Sequence, residues 1–444
     1  YDSLPKLYSG AKRRRYEEAV RKVLEGGFSA KDAGITMFIK DERLSPVKEN
    51  PDPRAIQFRD PRYCVEIARF LKPIEEHLYL LTGDASVGLP PSRMIGKGLN
   101  QVQRAKLLKQ KLTAFSAPVI FSLDMSRFDQ HCSRELLQIE HSVYLGCCPD
   151  PHFAWLLSLQ LDNRCFTKSG WSYVTRGKRM SGDMNTALGN CIIMIVMVIS
   201  LFSKLGIKHW DCLDDGDDCL VIVESEHLAL VRDCCSEIFL SYGHEVKIEN
   251  ISTTLPGVKW CQACPVEYLS GKWKFVRDPY KTMSCDLTGS KWKCDLRSRK
   301  RLLSALGLCE LILNLGVPVL QAYALAIIRA ADGTPPLVRG PFMESSLAIR
   351  AIRESKSIGC GKVYDKQLKQ FHLKHLQKLR PTEITKCARD SFAVAFGVAP
   401  EQQVEMEEAL DQWDIRISGD EALSVSWCTN PWRDERAAFY ERYL

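Results

Sequence analysis

The 444-residue sequence predicts a mixed α/β chain of the α+β kind, an antiparallel sheet flanked by helices. Three observations predict it. Residues 210–223 set two apolar runs around Asp215-Gly216, the strongest local signal for a tight β-hairpin. Residues 119–123 are an apolar run of strand length that ends at Asp124. Between these, residues 191–203 form an uncharged apolar run that reads as a buried helix after a Ser-Gly turn.

The hairpin comes first because its turn is loaded with acid: Asp214, Asp215, Asp217 and Asp218. Four carboxylates on one tip repel each other, and a hard divalent cation with oxygen ligands would neutralise them. A solvated acidic hairpin is the plainer alternative. Against it stands the second acidic strand end, Asp124, followed by Asp129 where a helical stretch begins with Leu136, Ile139, Val143 and Tyr144 at helical spacing. If the strand before Asp124 lies beside the hairpin, Asp124 faces Asp217 and Asp218. Three such carboxylates can hold two metal ions about 3.5–4 Å apart for in-line phosphoryl transfer. In residues 179–190, Gly182 allows a sharp turn. Ser181, Thr186 and Asn190 offer neutral groups suited to sugar hydroxyls. A polar loop followed by small residues for close helix packing is the alternative there.

Asp124-x4-Asp129, then Ser181-Gly-x3-Thr186-x3-Asn190, then Gly216-Asp217-Asp218 resembles palm motifs A, B and C of viral RNA-dependent RNA polymerases. Asp124-Met-Ser-Arg-Phe-Asp-Gln-His131 and Ser181-Gly-Asp-Met-Asn-Thr-Ala-Leu-Gly-Asn190 look like the tombusvirus family, carmovirus-like replicases especially. Lys97-Gly-Leu-Asn100, Trp260-Cys-Gln-Ala-Cys-Pro-Val266 and Gly316-Val-Pro-Val319 agree, so the likeness runs to at least residue 322. It implies a right-hand polymerase. Fingers would occupy 1–118 with a further insertion at 139–180, palm 119–138 and 181–268, and a mostly helical thumb 269–444.

The resemblance also assigns roles. Asp124 and Asp217 would bind two Mg²⁺ ions, with Asp218 assisting and Mn²⁺ able to substitute. Asp129, Ser181, Thr186 and Asn190 would recognise the ribose. Residues 37–43 and 53–62 resemble the basic motif F, where bidentate Arg and compact Lys suit an anionic triphosphate. Lys40, Arg54 and Arg59 are the candidates, with Arg43 and Arg62 behind them. Lys247, in a segment resembling motif D, would act as general acid toward pyrophosphate; a plain surface-strand lysine is its alternative. Cys261-Gln-Ala-Cys264 invites a zinc reading but lacks a second ligand pair at a telling spacing, since Cys285 and Cys294 are loosely placed. A motif E hairpin near the primer strand is preferred.

Composition suits these expectations. With 45% hydrophobic and 26% charged residues, the chain can build two or three sub-domains around a sizeable core. Its 18 cysteines are scattered, with adjacent pairs at 147–148 and 234–235, which suits reduced thiols in a cytosolic compartment. The 191–203 run is too short to span a bilayer, and no signal peptide is visible. The chain opens on Tyr1 rather than methionine, so a fragment or processed product is expected.

Net charge is +7, and residues 270–301 concentrate ten Lys or Arg against Asp278, Asp286 and Asp295. Trp273, Phe275, Tyr280 and Trp292 are interleaved, as suits an RNA strand. Lys12-Arg-Arg-Arg15 is a smaller cluster that reads equally as a helix-surface patch. Residues 302–330 should form two helices broken at Gly316-Val-Pro318. Trp413, Trp427, Trp432, Tyr440 and Tyr443 read as core packing.

The expected activity is copying of an RNA template from ribonucleoside triphosphates for a positive-strand RNA virus, with primer-independent initiation favoured by the resemblance. A reverse transcriptase-like polymerase and a non-catalytic RNA-binding scaffold are the alternatives. Expected partners are the template and nascent RNA, other viral replication proteins and host factors. A membrane-associated region outside this chain would place it at replication complexes in the host cytoplasm.

Overall fold

Two four-stranded sheets are built in the first part of the chain, one with alternating strands Asp162–Thr167 and Ser172–Arg176 and one with Trp210–Asp214 and Asp218–Glu224 buried almost throughout. The computed structural model describes residues 1, 3–8, 10–40, 53–287, 295–336, 342, 345–355, 364–365, 370–371 and 379–415. Two compact units are distinguished: Tyr1–Gly98 with Lys111–Thr253, and Leu99–Gln110 with Thr254–Leu444.

In the first unit, β1 (Ile35–Ile39) pairs antiparallel with β2 (Ala55–Arg59). β3 (Pro118–Met125) belongs to the other sheet. β4 (Asp162–Thr167) and β5 (Ser172–Arg176) form a hairpin that joins β1 through a parallel β1–β4 pairing, giving the order β2-β1-β4-β5. The second sheet is antiparallel throughout, as expected. It runs β6-β7-β3-β8, with β6 Trp210–Asp214, β7 Asp218–Glu224 and β8 Val246–Ser252. Leu220, Val221, Ile222 and Val223 of β7 are fully buried, which is why this strand reads as an unbroken apolar run rather than an alternating one. Each such side chain contributes roughly 1.5–3 kcal/mol of burial.

The helices Thr186–Leu205 and Leu228–Ser241 share one core with Phe121, Leu123, Val221 and Val223 on one sheet face. Period-two alternation then sends Ser122 and Asp124 to the opposite face. Thr186–Leu205 is longer than the 191–203 run suggested and, by length and composition alone, could cross a membrane; most of it is buried inside the protein. The helical stretch after Asp129 is split into Phe128–His131 and Arg134–Cys147, the second capped by the Ser133 hydroxyl. Its buried face is Leu136, Leu137, Glu140, His141 and Tyr144, whereas Ile139 is exposed.

Glu140 therefore lies on an apolar helix face, completely buried, and pairs with the equally buried Arg179. The Tyr144 hydroxyl and the Asn185 amide donate to Glu140 Oε1 at 2.8 and 2.7 Å. Arg179 Nε donates to Asn190 Oδ1 at 3.0 Å. Gly189 makes room for this network: a Cβ there would lie 2.1 Å from Glu140 Oε1 and 2.5 Å from Arg179 Nη2.

In the second unit, β9 (Ala263–Leu269) and β10 (Lys272–Arg277) form the expected hairpin, and the unit boundary at 253/254 groups it with the C-terminal residues rather than with the sheet of β3. Helices Leu296–Asn314 and Leu320–Ala330 are separated at Gly316-Val-Pro318, as the sequence predicts. Trp413 packs into this core against Tyr323; Trp427, Trp432, Tyr440 and Tyr443 lie outside the described residues. The basic stretch 270–301 is not one solvent-facing strip. Lys274 is fully buried and donates to the carbonyls of Leu313 and Leu315, Arg277 pairs with the buried Glu310, and Arg299 is buried. Carbonyls left over at a helix C-terminus need donors, and a lysine on the neighbouring hairpin supplies them. Trp292 and Cys294 lie outside the described residues.

Burial pushes the Lys274 ammonium down to about 8, against the opposing pull of Glu354. The unfolded chain thus binds this proton more tightly than the fold does. The cost is present in full below about pH 8 and fades as pH rises toward the ordinary 10.5. In thermal melts, the stability difference between Lys274→Met and wild type should shift by on the order of 1–3 kcal/mol in favour of wild type across that window. A difference that stays flat with pH would show that Lys274 is not buried as a charge. Glu140→Ala should cost about 3–5 kcal/mol by stranding the Arg179 charge, and the double variant Glu140→Leu/Arg179→Met should cost less. Denaturant unfolding decides this; a double variant worse than the single would refute the pairing energetics.

Candidate active site

β3 lies between β7 and β8, and its register sets Asp124 opposite Asp218 on one side and opposite Lys247 on the other. Direct partners in antiparallel strands share a face, so Lys247, Asp124 and Asp218 form one exposed row. Asp217 precedes Asp218 in the turn, also exposed. Gly216 adopts φ +107°, a conformation that side-chain-bearing residues rarely adopt, and so lets the turn close.

The other two hairpin acids behave differently from the expected four-carboxylate tip. Asp214 is completely buried, its backbone bonded to Met94 and Gly96 and its Oδ2 accepting from the Gly216 amide. Burial first, then the Asp215 charge, holds its carboxyl well above the usual range. Asp215 is ion-paired with Lys97 at 2.6 Å, and the same ammonium donates to the Asp215 carbonyl. Two acids therefore brace the turn and two face outward.

Two carboxylates directly opposite each other are destabilising, and Lys247 sets one positive charge beside Asp124. An all-oxygen set of this kind suits a hard divalent cation. Among the described residues no three His, Cys, Asp or Glu side chains are gathered closely enough to hold a metal ion, and this applies to Asp124, Asp217 and Asp218 as it does to Cys261 and Cys264.

Asp129 and Asn190, distant in sequence, meet: Asn190 Nδ2 donates to Asp129 Oδ1 at 2.8 Å. Burial raises the Asp129 carboxyl, opposed by the Asn190 hydrogen bond and the Arg179 charge, while Asp217 pushes in the same direction as burial. Ser181 and Thr186 are engaged in holding the loop between them. The Ser181 hydroxyl accepts from the Gln57 amide at 3.1 Å, and the Thr186 hydroxyl donates to the Met180 carbonyl at 2.8 Å. The Gly182 amide donates to the Gln57 carbonyl, and a Cβ at Gly182 would stand 2.6 Å from that oxygen. Close approach, not only turning freedom, demands glycine here.

Of the basic candidates, Lys40 and Arg54 are brought together, the Lys40 amide donating to the Arg54 carbonyl at the end of the β1–β2 ladder. Arg43 lies outside the described residues. Arg59 departs from the expected phosphate contact. It is 1% exposed, ion-paired with Asp183, and bonded to Asn163 Oδ1 at 2.6 Å and to the carbonyls of Ala33 and Leu159. A guanidinium so enclosed holds β2 to the loop rather than reaching an external anion. Arg62 is likewise paired with Asp32 and Asp60.

Sequence reasoning gave no role to Lys97, Asp183 and Asn185, although they stand in the matched motifs, nor to Glu140 and Arg179. One signal was available: Glu140 is an acid in line with Leu136, Leu137 and Tyr144 on a helix, and a charge on an apolar face must find a buried partner.

Comparison with known proteins gives the geometry its setting. The family described as viral RNA dependent RNA polymerase matches residues 1–418. The RNA-directed RNA polymerase of Groundnut rosette virus is 33% identical over 408 residues, covering 91% of this chain and 45% of that protein. That of Cymbidium ringspot virus is 34% identical over 429 residues, covering 96% and 48%. That of Carnation mottle virus is 33% identical over 440 residues, covering 97% and 53%. The chain thus spans about half the length of these relatives. The likeness to tombusvirus and carmovirus replicases read from the motifs holds across nearly all of it. The chain belongs to the viral RNA-dependent RNA polymerase family.

Proposed function

We propose that this chain is the catalytic region of a replicase that copies an RNA template from ribonucleoside triphosphates, arranged as fingers, palm and thumb. The observation that carries the reading is the facing pair Asp124 and Asp218, with Asp217 in the adjoining turn and Asp129 joined to Asn190. Divalent-metal dependence is general in this family; Mg²⁺ is the proposed ion, Mn²⁺ its substitute, held by Asp124, Asp217 and Asp218. When bound, the metal supplies charge stabilisation for the attacking hydroxyl and for the leaving oxygen.

The remaining work falls to the chain's own groups. Lys40 and Arg54 draw in the triphosphate by charge and bidentate hydrogen bonding. The Asp129–Asn190 pair presents a hydrogen-bonding edge to the ribose. The terminal hydroxyl of the growing strand gives up its proton to water and attacks the α-phosphorus, the bond to the β-phosphate oxygen breaks, and pyrophosphate departs. Lys247 lies in the row with Asp124, which supports assigning it the donation of a proton to that oxygen. Primer-independent initiation, and action with other replication proteins at membrane-associated complexes in the host cytoplasm, are part of the same proposal.

Primer extension with matched ribo- and deoxynucleotides tests the reading and separates it from a reverse transcriptase and from a non-catalytic scaffold. Asp217→Ala should remove incorporation by several decades while the protein stays folded and binds RNA, since alanine cannot replace an anionic ligand. Near-normal extension by that variant would eliminate the proposed site. Asn190→Ala releases one hydrogen bond from the Asp129 carboxylate, and an unsatisfied buried group costs about 1–3 kcal/mol. Ribonucleotide efficiency should therefore fall about ten- to hundredfold more than deoxynucleotide efficiency, with RNA affinity nearly intact. An unchanged ratio would leave Asn190 as a packing residue.

A further inference from the structure

The sheet β2-β1-β4-β5 has two unlike faces. One buries Ile35 and Cys165 against Met180 and carries Arg59. On the other, Thr36 aligns with Phe58 on β2 and Phe166 on β4, and Phe38 follows two residues along β1. Among the described residues that face is open: Phe38 is 40% exposed, Phe166 52% and Val174 67%. Phe38 and Phe58 meet edge to face with centroids 5.7 Å apart, and the Arg15 guanidinium lies 5.4 Å from the Phe58 ring. A half-buried sheet ordinarily turns polar residues to water. Here aromatic and apolar groups take their place.

Charge decides what could cover such a face. Arg164, Lys168 and Arg176 are exposed beside the apolar groups. The only acid in these four strands and the β4–β5 turn is Asp162, and its carboxylate is bound by Arg134 at 2.9 Å. A second copy of the chain docked by two-fold symmetry would set this basic surface against itself. Single-stranded nucleic acid satisfies both features at once, with phosphates against the cations and bases stacked on the rings.

We propose that the outward face of this sheet, with Phe38, Phe166, Val174, Arg164 and Lys168, is a platform for single-stranded RNA on the side opposite Arg59. The choice of RNA rests on the reading of the chain as an RNA-copying enzyme. The platform itself rests on the face.

Fluorescence anisotropy with a labelled oligouridine tests it on the full chain. Phe166→Ala should weaken binding about tenfold, and Arg164→Ala should flatten the salt dependence. Both positions are exposed, so melting temperatures should not move. Incorporation on a primer–template with a minimal template overhang should stay at the wild-type level. Unchanged oligouridine affinity overturns the proposal. So does a shift in oligomeric state by sedimentation without a change in affinity, which would make the face an interface between copies. If wild type incorporates no nucleotide but the variants still lose oligouridine, the platform stands and the catalytic reading falls.

Discussion

A single buried guanidinium holds together the segments on which the site depends. Arg179 takes Glu140 from the helix Arg134–Cys147 with one end and Asn190 from the helix Thr186–Leu205 with the other. Asn190 in turn fixes Asp129, five residues past Asp124. Desolvating a charge pair is costly and is offset only when every remaining donor and acceptor is satisfied. Tyr144 and Asn185 meet that condition at Glu140. The Asp129–Asn190 pair is thus built on a buried ionic interaction, and its geometry follows from groups deeper in the fold.

The sheet supplies the second constraint. Because β3 is interior, its register is fixed from both sides, and a slip of one residue would send Asp124 into the apolar layer with Phe121 and Leu123. The hydrophobic pattern therefore sets the position of the carboxylate. Lys97 adds a clamp from outside the sheet by gripping Asp215 through both side chain and backbone. The exposed pair Asp217 and Asp218 is held out by the burial of Asp214 and the pairing of Asp215.

Local features of the sequence were legible because they depend on neighbours in the chain. Asp215-Gly216 announces its own turn, the apolar run of β7 its own strand, and Gly316-Val-Pro318 its own helix break. The acids Asp124, Asp217 and Asp218 stood out because charges at strand ends interrupt apolar runs. What could not be read was the fate of cations with distant partners. Arg59 looks like Arg54 in sequence, yet its partners Asp183 and Asn163 lie more than a hundred residues away and enclose it. Lys274 and Arg277 counted toward a basic surface until the helix Leu296–Asn314 packed over them. Charge tallies ignore burial, and burial is a property of the whole fold.

The seam between β2 and the Ser181-Gly182 loop has a mechanical meaning. Two hydrogen bonds to Gln57 and the absence of room for even a methyl group leave no slack between them. A paired strand is stiff along its length, so β2 behaves as a short lever with Arg54 near one end and the loop near its middle. Displacement at Arg54 is carried to the start of the helix that bears Asn190, and displacement of that helix is carried back. Any coupling free energy between a contact at Arg54 and one at Asn190 is then the same whichever contact is made first, as linkage requires.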